Sequence, residues 1–212
     1  MGFLREPDPE FLTSRRTHAN FNLAWKLALA FLVVLWGIHL LNWLLGYELN
    51  RFGILPRQGA GLVGIVAAPL LHGGFGHLVS NSLPLLVGTT GILFLYPNAA
   101  VRVVPVIYLG AGAAVWAVGR PVIHIGASGL VYGLLAFLFL SGIVKRDTRG
   151  IALSLLIYFL YGSLVWGVFP IRIGVSWESH LAGGIIGAVL AVRFRRWDLP
   201  PRKRYSWEDE DE

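Results

Sequence analysis

Four side chains in this 212-residue chain have types and spacing suited to one reaction: Ser128 in HIGASGLVYG, His180 in ESHLAGGIIGA, and His77 and Asn81 in HGGFGHLVSN. A serine hydroxyl is a poor nucleophile until a neighbouring base takes its proton, and neutral imidazole suits that role near pH 7. With Ser128 attacking and His180 as base, the chemistry is nucleophilic acyl transfer. The oxyanion formed on attack needs donors aimed at it. Asn81, His77 and the backbone N–H groups around Gly129, at the start of a helix, can supply them. The chain has no cysteine, so a thiol nucleophile, a disulfide and a thiolate metal site are all excluded.

The elements that position these residues belong to a membrane protein. The sequence is 55% hydrophobic and 14% charged, with a mean hydropathy of +0.63, which predicts an all-α polytopic fold. Six apolar windows, near 23–45, 77–95, 102–118, 127–144, 151–168 and 179–194, are expected to cross roughly 30 Å of hydrocarbon as a six-helix bundle. The stretch 59–71 is too rich in Gly, and has a Pro, and is expected as an interfacial segment. Residues 1–22 read as a cytoplasmic N-terminal segment, 23–195 as one membrane domain and 196–212 as a charged cytoplasmic tail. Pro and acids precede the first apolar run and no small-x-small site follows it, so that run is expected to remain as a span.

With both termini inside, fourteen Lys/Arg fall on the cytoplasmic side and only Arg51, Arg57, Arg120 and Arg172 outside. This asymmetry predicts an N-in, C-in orientation. The net charge of +6 and pI near 10 then reflect topology, and no nucleic-acid partner is expected. Of the twelve acids only Glu48 and Glu178 lie on the outer side. Glu178, two positions before His180, points away from it on a helix, so the expected machinery is a Ser–His dyad without a carboxylate.

Depth supports grouping these residues. Ser128 is 17 residues from Lys145, Asn81 is 17 from Asn98 and His180 is 13 from Arg193, or about 25, 25 and 20 Å of helix. Three helices that run inward from the same side thus deliver a hydroxyl, a carboxamide and an imidazole to one level, about 5–10 Å below the outer surface. Polar groups there face a bundle interior or a wet cavity. Gly183 and Gly187 follow His180 at i+3 and i+7, and Gly129 and Gly133 are four apart, so these two helices can approach closely. Tyr132, one turn after Ser128, can pack against the imidazole.

The ordered set resembles the rhomboid intramembrane serine proteases: six spans, HGGFGHLVSN (His72, His77, Asn81), GASG (Ser128) and HLAGGIIG (His180, Gly183, Gly187). The resemblance covers about 23–195. It implies a serine endopeptidase that needs no cofactor and hydrolyses peptide bonds in or near the spans of transmembrane protein substrates in a lipid bilayer. By the same resemblance, Ser128 is the nucleophile, His180 the base, and His77 and Asn81 the oxyanion contributors. The Trp-Arg pair in the first external loop of many bacterial members has no counterpart in YELNRFGILPRQGAG, so other residues must anchor that loop.

Taken singly, Ser128 between glycines is more often a packing residue, and His180 or Asn81 an interhelical hydrogen bond. Shared depth and motif order favour the dyad. His72 reads equally as a site residue or a loop fastener. His39 and His124 are expected at the interfaces, and Trp25, Trp36, Trp43, Trp166 and Trp177 in the core or the aromatic belts. A transporter or channel is disfavoured because no span carries an acid and no matching broken helices occur. An inactive rhomboid-like binder of membrane clients would be expected to lack the serine or the histidine. The six-span form points to a prokaryotic plasma membrane.

Overall fold

The computed structural model describes residues 15–171 and 174–199. Arg5, Arg172, Arg202, Lys203, Arg204 and the acidic tail used in the charge and domain expectations lie outside the described residues. Among the described residues six main helices form, with short helical turns between the first two and between the last two: α1 (Arg15–Leu44), α2 (Phe75–Leu95), α3 (Pro97–Val118), α4 (Ser128–Lys145), α5 (Thr148–Tyr161) and α6 (Trp177–Arg193). Among the described residues the only β pairing is one antiparallel bridge, Ile54 to His124. α1 already runs from Arg15, eight residues before its apolar window, because RRTHANFN contains no helix breaker. α3 starts at Pro97, where a missing N–H costs nothing in the first turn.

Among the described residues five segments are long and apolar enough to cross a membrane, counting α5 with the 3₁₀ turns that extend it to Val168. α6, the sixth expected span, is a helix of 17 residues, about 25 Å long and so shorter than the hydrocarbon. α4 is the central helix, packed by α2, α3, α5 and α6, with Leu134, Phe137 and Leu138 fully buried.

The closest contact is between α4 and α6, where backbone meets backbone. A Cβ on Gly183 would fall on the Gly129 carbonyl, and one on Gly187 on the Gly133 carbonyl. No rotamer relieves such a clash. Gly187→Ala is therefore expected to destabilise the fold by about 1–3 kcal/mol, read as a lower unfolding midpoint in detergent. Gly184→Ala, where a Cβ meets nothing within 4 Å, should stay near wild type.

The long loop between α1 and α2, expected on the external side, packs on the C-terminal end of α3 and the strand-like lead into α4. Its 59–71 stretch makes three short helical turns. Arg57 Nη1 donates to the Gly119 carbonyl at 2.8 Å, and Arg57 N donates to Trp116 O. Trp116 Nε1 returns a bond to Gln58 O at 2.9 Å. An arginine and a tryptophan thus anchor the loop, but the tryptophan comes from α3. Both expected interfacial histidines are buried instead. His39 is covered edge-to-face by Phe75 where α1 meets α2, and His124 lies beneath the loop it bridges.

At the opposite end, the turn after α6 is tied to α3 and α4. Asp198 accepts from Asn98 N, Asn98 Nδ2 and Ala99 N at 3.1, 2.6 and 2.9 Å, capping orphan donors of α3. Lys145 Nζ donates to Trp197 O at 2.7 Å and lies over the Tyr96 ring.

Candidate active site

Ser128 is the first residue of α4, and the chain enters it through Gly126 at φ +112°. That left-handed backbone suits glycine. A Cβ there would also lie 2.6 Å from His77 Cε1, so the His77 ring rests on the turn that delivers the serine. The first helical bond closing over this turn is Val131 N to Ala127 O. It leaves the Ser128, Gly129 and Leu130 N–H groups at the helix start without intrahelical partners, next to the hydroxyl.

α6 presents His180 opposite. Its Nε2 is 2.8 Å from Ser128 Oγ, and its Nδ1 is 2.8 Å from the Gly167 carbonyl oxygen. A carbonyl can only accept, so Nδ1 carries the proton. In the neutral ring, Nε2 then has a free lone pair and accepts from the serine O–H. Tyr132 stacks on the imidazole with ring centroids 4.1 Å apart and planes 5° from parallel, and its hydroxyl donates to Leu164 O at 2.7 Å. The 3₁₀ segment Gly162–Val168 thus holds both rings through main-chain carbonyls.

The structure brings Ser128, His180 and Tyr132 together and sets Gly129 and Gly133 against Gly183 and Gly187. Asn81 is buried on α2, but its Nδ2 donates to the His77 carbonyl one turn back, at 3.1 Å. A second N–H of the same amide remains for another acceptor. His72 contacts His77 edge-to-face, with centroids 5.1 Å apart. Burial, reinforced by His77 and His39, lowers its pKa to about 4, so it is neutral at physiological pH. Its fastening contact to the loop runs through its carbonyl, a long 3.5 Å bond from Asn50 Nδ2.

Glu178 does point away from His180. It forms a salt bridge to Arg120, Oε1 to Nε at 2.5 Å. Sequence reasoning missed the Gly167 and Leu164 carbonyls, for which no side-chain signal exists. It also missed the Arg120–Glu178 pair, although these are opposite charges, one just after the end of α3 and one in the first turn of α6.

A family model described as Rhomboid domain matches residues 60–197. An uncharacterized protein of Mycobacterium tuberculosis is 37% identical over 174 residues, 77% of this chain and 72% of that protein. One from Mycobacterium bovis matches to the same extent. Another, from Mycobacterium leprae, is 35% identical over 188 residues, 82% and 74% of the two chains.

Proposed function

The chain belongs to the rhomboid family and is an integral membrane protein, and from that premise we propose that it is an intramembrane serine endopeptidase working through Ser128 and His180. The observation that supports this most is the Ser128 Oγ to His180 Nε2 hydrogen bond, with the tautomer fixed by Gly167 O. Ser128 Oγ attacks the scissile carbonyl while its proton passes to His180 Nε2. The N–H groups at the start of α4, with His77 and Asn81, receive the oxyanion. Collapse breaks the C–N bond as Nε2 returns the proton to the leaving amine. Water then hydrolyses the acyl-enzyme by the same route.

The Gly167 carbonyl stands where a triad would place a carboxylate. It orients the ring and stabilises imidazolium through a dipole rather than a full charge. The substrates are transmembrane proteins, cut near the outer face where Gly, Pro or Ser opens their helix, because a carbonyl in a regular helix is hydrogen-bonded and shielded. The orientation is N-in and C-in, in a bacterial plasma membrane.

A fluorophosphonate probe tests this reading. Mass spectrometry of the labelled protein in detergent is expected to find the adduct on Ser128, lost in Ser128→Ala and strongly slowed in His180→Ala. An adduct on another serine, or undiminished labelling of Ser128 in His180→Ala, would overturn the dyad.

A further inference from the structure

A second His–Ser pair lies one turn above the first. His124 Nδ1 is 2.7 Å from Ser176 Oγ, and His124 Nε2 is 3.0 Å from the Arg120 carbonyl. By the same carbonyl argument, Nε2 donates and Nδ1 accepts from the Ser176 hydroxyl. His124 is four residues before Ser128, and Ser176 four before His180. The two pairs are therefore successive rungs between the same two chain segments, each spanning 52 residues of sequence. A third contact ties the same segments: Arg120 Nε and Nη2 donate to the two Glu178 carboxylate oxygens, and Arg120 Nη2 also reaches Val175 O.

We propose that His124, Ser176, Arg120 and Glu178 form a clasp of positioning residues that sets the Ser128–His180 distance from the outer side. The inference rests on the dyad reading above. The glycine contact of α4 with α6 and the Tyr132 stack hold the two helices on the inner side of the dyad, and the clasp adds hydrogen bonds on its other side that need not break when the Ser128–His180 bond does during each turnover. The clasp also has a fixed support. Ile54 and His124 exchange both backbone hydrogen bonds at 2.9 Å, so the first external loop holds the histidine in place. Glu178 is nearly buried, with 7% of its side chain exposed, while Arg120 is 45% exposed. The carboxylate is therefore the fixed member and the guanidinium closes over it.

A misplacement near 1 Å costs on the order of 10–100-fold in rate. The probe used is the fluorophosphonate, followed to saturation so that its maximal labelling rate and half-saturating concentration separate. Ser176→Ala is expected to lower the maximal rate at Ser128 on the order of tenfold or more with half-saturation unchanged. Ser176→Thr, which keeps the hydroxyl, should restore most of it. Arg120→Gln changes a half-exposed side chain and leaves buried packing intact, so it serves as the second variant if Ser176→Ala unfolds. It should shift the rate in the same direction in a protein that still unfolds cooperatively, with a midpoint lowered by the unpaired Glu178 carboxylate. Wild-type rates in Ser176→Ala or Arg120→Gln, or an adduct on Ser176 itself, would overturn the clasp. A wild-type protein that gives no Ser128 adduct would instead overturn the dyad beneath it.

Discussion

Ser128→Ala and His180→Ala are each expected to lower turnover of a transmembrane substrate on the order of 10⁵-fold, and the double variant no further. The hydroxyl and imidazole share one proton across 2.8 Å. Removing either leaves the other with no step to perform, so the two losses do not add. Neither change should cost the fold, because Ser128 lies at a helix start and the α4–α6 contact is made by glycines. Cleavage kinetics in detergent, with unfolding midpoints measured alongside, check both points. A single variant retaining a tenth of wild-type turnover would remove the dyad.

Gly167→Ala should be the next most damaging change, lowering kcat on the order of 10²-fold with KM little altered. A methyl there would meet the Tyr132 hydroxyl and lie 3.1 Å from His180 Nδ1, so the 3₁₀ segment must move and carry its carbonyl off the imidazole. The ring then loses the acceptor that keeps the proton on Nδ1, and the tautomer with a protonated Nε2 cannot take the serine proton. A wrong tautomer costs about 10⁴-fold where a carboxylate is the orienter, and a neutral carbonyl should cost less. Gly162→Ala, where a Cβ meets nothing nearer than 3.7 Å, is the control. Equal turnover in the two variants would mean that Gly167 O does not set the tautomer.

Part of this site is legible as letters and part is not. Ser128, His180 and Tyr132 announce themselves because hydroxyl, imidazole and phenol are rare at that depth and one helical turn relates two of them. The glycine pairs are readable for a similar reason, since i, i+4 spacing puts small residues on one face. Gly167 meets His180 through a carbonyl that every residue has, so its letter holds no signal. His124 misleads because a histidine beside an apolar run fits an interface equally well. Its backbone pairing with Ile54 and its ring contacts with Ser176 and Arg120 bury it. Apolarity and helicity part company at two helix ends: α1 continues into polar sequence, and α5 tightens to 3₁₀ while still apolar.

The tie at the C-terminal end of α6 acts as the fulcrum of a lever. Asp198 and Trp197 hold that end to α3 and α4, and His180 lies about 20 Å up the helix from Arg193. Over that arm, a tilt of about 3° displaces the imidazole by about 1 Å, enough to part a 2.8 Å hydrogen bond. Asp198, at the end of α6 farthest from His180, thus bears on the Ser128–His180 separation through the angle of that helix.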